Sequence, residues 1–147
     1  MKTLRLPLRV RQRKGQALAE MAILLPVLLL LVFGMIEMSN AWRTFQVVTN
    51  SAREGTRVAI LTSSDRADVL ARIESSMLAG GLVYDESRIT LQCFEAADPE
   101  NQIGDVCTSS GQVARIRIAY PFTFQVLGRL GGLAPITIAS TSTMRHE

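Results

Sequence analysis

The chain of 147 residues has few of the side chains on which enzyme chemistry most often depends. It contains one histidine, His146, and two cysteines, Cys93 and Cys107. A serine or cysteine nucleophile would therefore lack a plausible histidine base, and no glycine-rich phosphate loop follows a predicted strand. Two thiolates without a neighbouring histidine do not form a closed metal site. We expect no catalytic activity, no cofactor, no metal and no small-molecule substrate.

Acidic residues are absent from residues 1–15, which hold six of the sixteen lysines and arginines. Residues 16–147 hold the other ten basic residues and all thirteen acidic residues, a net charge of −3. The overall basic character therefore belongs to a short leader. Because the rest of the chain has no excess positive charge for phosphate groups, we do not expect it to bind nucleic acid.

Charge is also nearly absent from residues 16–36, in which Glu20 is the one charged side chain. A helix of this length rises about 30 Å, which is the thickness of the bilayer core. Cationic residues stay on the side from which a membrane segment inserts, so we expect a cytoplasmic N-terminus and an exported remainder. Pro26 lies inside the run and is expected to kink the helix, which membrane helices tolerate.

Three interpretations of this segment remain open from the residues alone. The first is an uncleaved signal anchor that carries a small exported binding domain. The second is a secretory signal cut after Ala41, because Ser39, Asn40 and Ala41 have the size that a signal peptidase prefers. The third starts from Glu20, whose insertion into a membrane helix costs about 2.5–3.5 kcal/mol unless it has a partner. That partner would be another chain, or a terminal amine created by removal of the leader.

The leader and the residues after it carry a family resemblance. Residues 14–20, Lys-Gly-Gln-Ala-Leu-Ala-Glu, resemble a prepilin cleavage site, which has a basic stretch, a glycine and then a glutamate five residues on. With them, several later stretches resemble the TadE-like family, pseudopilins of the tight-adherence (Tad, Flp) type IV pilus. These are the leucine run that begins at residues 24–26, Glu37, and residues 50–57, 120–122 and 138–145.

The resemblance implies a structural role in pilus biogenesis. A prepilin peptidase would cut between Gly15 and Gln16 and expose the α-amine of Gln16, with which Glu20 of a neighbouring subunit would pair. The family implies other pilins or pseudopilins and the pilus assembly platform as partners. It also implies an inner-membrane anchor, with the C-terminal domain in the periplasm or on an extracellular pilus. About a hundred residues beyond the membrane segment fit a minor subunit better than a very short major pilin.

Hydrophobic periodicity predicts an α+β fold. We expect one helix over about residues 16–62, with residues 53–57 as a solvated face, and a second helix from a cap at Ser63–Asp65 to Gly80. Period-two patterns predict three antiparallel strands, at residues 89–94, 115–120 and 136–144. The predicted organisation is a leader (1–15), a transmembrane segment (16–36), a continuation of the helix (37–62) and an exported α+β domain (63–147).

Cys93 and Cys107 flank a polar segment, residues 95–106, that we expect to be a loop. Both lie on the expected exported side, where an oxidising compartment favours a disulfide. Such a bond would add about 3 kcal/mol to the stability. Two unrelated thiols or a metal-binding pair are the alternatives. The acidic residues of this segment lack the spacing of a regular calcium loop.

Overall fold

A computed structural model describes residues 12–61 and 64–146, and it divides the chain into two compact units, Met1–Ile36 and Glu37–Glu147. Most of the predicted leader and Ser63 of the predicted cap lie outside the described residues. The elements in chain order are helix α1 (Gln12–Ala59), helix α2 (Arg66–Ala79), a 3₁₀ turn (Glu86–Arg88), strand β1 (Ile89–Glu95), strand β2 (Asp98–Gly104), strand β3 (Gln112–Phe122), helix α3 (Leu127–Gly131) and strand β4 (Ile136–Arg145).

Helix α1 has 48 residues and contains Pro26 in its interior. It begins before Gly15 and ends at Ala59, so it matches the expected long helix closely at both ends. Its first half exposes large apolar side chains, such as Ile23 at 73%. Its second half buries one face instead, which includes Val48 and Ala52. The same helix therefore changes from exposed apolar residues to a packed face.

Helix α2 begins and ends where the sequence predicts. The carboxylate of Asp65 accepts a hydrogen bond from the backbone N–H of Asp68, and the Asp68 side chain accepts one from the N–H of Asp65. This reciprocal pair satisfies two N–H groups that a helix terminus leaves unpaired. Val69, Ile73 and Met77 are buried, because a spacing of four residues keeps them on one face of the helix.

The sheet has four antiparallel strands in the order β2-β1-β3-β4, so the expected count of three strands is wrong. The additional strand is β2, within the segment that we expected to be a loop. It pairs with β1 through two register shifts beside Phe94. Because those shifts interrupt the alternation and Pro99 lies in the strand, the period-two signal is lost there.

The hydrophobic core lies between one face of the sheet and the two longer helices. Alternate residues of β1 and β3 supply the sheet side, since side chains two apart share a face. The fully buried members of the core cluster are Val48, Ala52 and Ala59 of α1, Val69, Ile73 and Met77 of α2, Ile89, Leu91 and Cys93 of β1, Ala114, Ile116 and Ile118 of β3, and Cys107. The fold is therefore mixed α+β, as the sequence predicts.

Candidate membrane and assembly site

The predicted cleavage position lies within the first turns of α1. Gly15 and Gln16 are both helical and exposed. A Cβ atom placed on Gly15 would have no neighbour within 4 Å, so the fold itself does not require glycine there. Cleavage between Gly15 and Gln16 remains a prediction.

Glu20 lies one helical turn after Gln16 and is exposed. Its carboxylate accepts a hydrogen bond of 3.1 Å from the side-chain amide of Gln16. No lysine or arginine occurs between Lys14 and Arg43, so this stretch of the chain offers the carboxylate no cation. A carboxylate in an apolar helix that lacks a cation of its own is typical of a site that meets a partner.

The apolar half of α1 has the properties of a membrane anchor. Among the described residues, one helical segment, Gly15–Ala59, contains a window long and apolar enough to cross a membrane, and 6% of that window is buried. Its side chains are therefore exposed over a length that matches the hydrocarbon core. A single N-terminal apolar helix of this kind fits membrane anchoring. Pro26 lies in the middle of it, and the kink expected there remains a prediction.

Glu37 ends the apolar stretch and is buried, with 2% of its surface exposed. One carboxylate oxygen, Oε1, accepts hydrogen bonds from the backbone N–H groups of Val126 at 2.5 Å and Leu127 at 3.4 Å. The other oxygen, Oε2, is buried without a hydrogen-bond partner among the described residues. Glu37 therefore holds the start of α3, 89 residues further along the chain, against α1. Sequence reasoning missed this role, although an isolated carboxylate at the end of an apolar run is the signal for it.

Helix residues 50–57 are half buried. The expectation that residues 53–57 form a solvated face is wrong for Gly55 and Thr56, which are buried. Ser51 and Thr56 are both 0% exposed. The Ser51 hydroxyl donates to Ser76 Oγ at 2.9 Å, and the Thr56 hydroxyl donates to the carbonyl of Ala52 at 2.6 Å. Because these residues are small and satisfy their own polar groups, α2 and the sheet approach this face closely.

Gly55 is the point of closest approach on that face. A Cβ atom there would lie 2.6 Å from Ile73 Cγ1 and 3.2 Å from Ile116 Cδ1. Contacts under 3 Å do not occur between real side chains without a shift of one of them, because packed interiors have no spare volume. Gly55 thus lets α1 pack against α2 and β3 at the same position.

The opposite side of this segment is charged and exposed. Arg72 of α2 pairs with Glu54 at 2.8 Å, and that hydrogen-bonded guanidinium lowers the pKa of Glu54. Arg66 bonds both Glu86, at 3.1 Å, and Asp105, and the two carboxylates raise the pKa of Arg66. These pairs link α2 to α1 and to the loops beside the sheet, but exposed pairs contribute little each to stability.

Cys93 and Cys107 form the predicted disulfide, with their Cα atoms 5.4 Å apart. Both residues are 1% exposed. The bond connects β1 to the segment that follows β2. Among the described residues, no group of three or more histidine, cysteine or acidic side chains lies close enough to hold a metal ion.

A pocket of about 270 Å³ lies where α1 passes the end of α2. Arg43 is the charged side chain among its lining residues and donates to the carbonyl of Gly80 at 3.2 Å. Trp42, one residue before it, is 60% exposed, and its ring centre lies 5.7 Å from that of Phe45. An exposed indole just beyond an apolar segment is typical of a membrane–water boundary.

Comparison with known families identifies the segment that contains these features. Residues 15–57 match the model of the TadE family, described as TadE-like protein. The family resemblance seen in the sequence is confirmed. The TadE-like segment begins at the glycine before the predicted cut and ends on the buried face at residues 50–57. Neither the comparison with curated proteins nor the comparison with solved structures found a match.

The position of the match separates two parts of the chain. The TadE-like segment contains the apolar helix, Glu20, Glu37 and the buried small residues that dock the helix on the core. Helix α2 and the whole β-sheet follow it. Membership of this segment in the TadE-like family suggests a Tad pilus-associated protein.

Proposed function

We propose that this chain is a minor pilin or pseudopilin of a Tad (Flp) type IV pilus. A prepilin peptidase cuts it after Gly15, and the mature chain stays in the bacterial inner membrane through residues 16–36. Its N-terminus faces the cytoplasm and its C-terminal domain lies in the periplasm, from which it takes part in the priming or assembly of a pilus for surface adherence. The chain itself performs no catalysis; it is a substrate of the peptidase.

The observation that carries this proposal is where the TadE-like segment begins. The match starts at Gly15, directly after a leader with six basic residues and no acid. A largely exposed apolar helix follows at once, with Glu20 five residues after Gly15. An ordinary signal anchor needs the basic residues and the apolar helix, but it gives no reason for a glycine and a glutamate at this spacing.

Glu20 provides the assembly contact in this mechanism. Cleavage exposes the α-amine of Gln16, one turn before Glu20, and the Glu20 carboxylate lies exposed with a 3.1 Å hydrogen bond from the side-chain amide of Gln16. In a low-dielectric environment, an unpaired carboxylate or amine is costly, so each subunit favours a neighbour that supplies the opposite charge. Packing of residues 16–36 against similar helices replaces lipid contacts and adds van der Waals attraction. Other pilins or pseudopilins and the assembly platform are the expected partners.

The experiment that tests the proposal maps the mature N-terminus. The full chain is isolated from cells with and without a prepilin peptidase, and its intact mass and N-terminal peptide are measured for the wild type and for Gly15→Ala. We expect a chain that begins at Gln16, and we expect this product to be lost both in the variant and in cells without the peptidase. Gly34→Ala is the matched control, because Gly34 also has no neighbour within 4 Å of a built Cβ atom.

Two other results would reject the proposal in different ways. A chain that begins at Trp42 would identify a secretory signal and a released binding domain. A chain that stays uncut in cells that process other prepilins would identify a plain signal anchor. If cleavage occurs, the Glu20→Gln variant should still begin at Gln16. Less of this variant should be recovered together with pilus components. Recovery of the Glu54→Gln variant, which is outside the apolar segment, should not fall.

A further inference from the structure

The two edges of the sheet are protected to very different degrees. The β2 edge has seven residues, two register shifts in its pairing with β1, and Pro99 between two acidic residues. Short length, bulges, proline and charge all prevent a sheet edge from pairing with another strand. This edge is therefore closed to strand addition.

The β4 edge has none of these protections. All ten of its residues pair with β3 in one unshifted register, from Ile136 opposite Phe122 to Arg145 opposite Val113. It contains no proline, and Arg145, its last residue, is its one charged side chain. Its other residues are isoleucine, threonine, serine, alanine and methionine. A long, regular edge of this composition, with its one charge at the end, is a template for pairing with another strand.

Strand β4 contributes little to the core of its own chain. None of its residues is fully buried, and its inward-facing side chains are only half-buried, whereas β1 and β3 each place three residues in the core cluster. Its attachment is the ladder that it shares with β3. The core does not require a strand of ten residues at this position. A partner strand on the outer edge of β4 would account for its length.

The direction of the backbone groups on the outer side of β4 follows from its pairing with β3. The N–H of His146 donates to the carbonyl of Gln112 at 2.8 Å, toward β3. Because successive residues of a strand direct their N–H groups to opposite sides, the odd-numbered residues from Thr137 to Arg145 direct theirs outward. Within residues 12–61 and 64–146, no hydrogen bond other than those of the β3 ladder reaches residues 136–145.

We propose that β4 pairs antiparallel with β4 of a second copy of this chain. The strand is complementary to itself: with the two-fold axis at Thr141, threonine faces threonine, Ala139 faces Thr143, and Thr137 faces Arg145. Cross-strand threonine pairs are favourable, and the two arginines lie at opposite ends of the paired strands rather than beside each other. A contact of one surface with itself closes as a two-fold dimer.

The pairing has a defined register. Outward N–H groups must face one another in the hydrogen-bonded pairs, which requires the odd-numbered residues to oppose odd-numbered residues. An axis at Thr141 pairs all five of them, from Thr137 to Arg145, whereas a shift in either direction leaves some unpaired. The structure thus identifies Thr141 as the residue that meets its own counterpart.

A cysteine cross-linking scan of the full chain in its native membrane tests this interface. Cys93 and Cys107 are disulfide-bonded, so a single introduced thiol is the reactive one among the described residues. Thr137→Cys, Thr141→Cys and Thr143→Cys are each treated with a short bis-maleimide. We expect the homodimer yield to be highest for Thr141→Cys, because directly opposed residues have Cα atoms about 5.5 Å apart. Thr90→Cys, an exposed position on the internal strand β1, is the matched control.

A second pair of variants separates edge pairing from chance proximity in the membrane. Ala139→Pro in the Thr141→Cys background removes an outward N–H that the β3 ladder does not use, and proline is tolerated at a sheet edge. We expect the dimer yield to fall about ten-fold, since each two-fold dimer loses two hydrogen bonds. Ala139→Val retains the N–H and should retain the dimer.

Three results would overturn the proposal. The first is a Thr141→Cys dimer yield no greater than that of Thr90→Cys. The second is equal dimer yield for Ala139→Pro and Ala139→Val when both variants resist limited proteolysis as well as the parent does, which reports that both are folded. The third is cross-linking of Thr141→Cys to a different protein alone, which would assign this edge to another partner. None of these results depends on cleavage at Gly15, so the dimer and the proposed pilus role are tested separately.

Discussion

The two halves of helix α1 use the same backbone in opposite ways. From Leu18 to Ile36 the large apolar side chains are exposed, while from Glu37 to Ala59 one face is buried and consists mainly of small or polar residues. Hydropathy alone would assign the first half to a protein interior and the second half to the surface. The difference teaches that hydropathy does not decide which side chains of α1 are buried within the chain. The surroundings of each half decide it.

Each half of α1 has a carboxylate near its N-terminal end, Glu20 in the first half and Glu37 in the second. Glu20 is exposed and accepts a hydrogen bond from the side chain of Gln16, whereas Glu37 is buried and accepts hydrogen bonds from the backbone at the start of α3. Glu37 is used within its own fold, whereas we propose that Glu20 meets another chain. This contrast predicts that substitutions in the two halves will have separable effects on assembly and on stability.

The largest expected effect concerns the disulfide, which stabilises only the region after Glu37. Replacement of Cys93 and Cys107 by alanine opens a link that spans 14 residues. We expect the free energy of unfolding of this region to fall by about 3 kcal/mol. Hydrogen exchange of the full chain in detergent should show faster exchange in residues 64–146 and unchanged exchange in residues 16–36. Equal loss of protection in both regions would contradict the expectation that the disulfide stabilises residues 64–146 and not residues 16–36.

Matched glycines in the two halves of α1 give the next largest effect. Gly55→Val inserts side-chain atoms where a Cβ would already lie 2.6 Å from Ile73, and we expect overpacking to cost about 1–3 kcal/mol. Gly34→Val adds the same atoms where nothing lies within 4 Å and should leave unfolding of residues 37–146 unchanged. Thermal unfolding monitored by circular dichroism measures both. A Gly55 variant as stable as the Gly34 variant would show that the close approach is not required.

Glu37→Ala should have a smaller and local effect. It removes the two hydrogen bonds to Val126 and Leu127, but it also removes a buried oxygen that has no described partner. We expect a net loss of about 1 kcal/mol, confined to local opening of residues 123–135. Faster amide exchange at Val126 and Leu127, with unchanged exchange in β1 and β3, is the expected measurement. Global destabilisation would instead place Glu37 within the cooperative core.

The smallest effect is the pH dependence of the pair between Glu54 and Arg72. The hydrogen bond from Arg72 lowers the pKa of Glu54 below its ordinary value of 4.5 in the folded chain. The contribution to stability is therefore present above about pH 4.5 and is lost as the pH falls through the lower folded value. Glu54→Gln should reduce the Tm slightly at pH 7 and not at strongly acidic pH. Added salt should shrink the difference at pH 7, because both side chains are exposed.

Local patterns in the sequence predict those helices and strands whose pattern of apolar and polar residues is not interrupted. The apolar run predicts the first half of α1, the acidic cap predicts the start of α2, and strict alternation predicts β1, β3 and β4. The expected antiparallel sheet and the disulfide follow from the same local reasoning. Strand β2 was missed because its pairing shifts register twice, which removes the alternation that a strand needs to be recognised.

The parts that sequence reasoning missed depend on contacts between distant residues. Glu37 and Val126 are 89 residues apart, so nothing near Glu37 indicates that its partner is a backbone N–H. Gly55 in a helix is compatible with close packing of another element, but its position in the sequence does not identify Ile73 and Ile116 as the neighbours. The charged residues around Gly55 indicate a solvated surface, and they do form one, but only on the side of the helix away from the core.

The order of synthesis gives β4 a separate place in folding. Every residue of the hydrophobic core cluster precedes Thr123, so a ribosome has produced the whole core before it translates β4. The residues that form the core are therefore all made before β4, which adds only a ladder of hydrogen bonds to the edge of β3. Until β4 pairs with it, β3 presents an open edge to which a wrong strand can bind.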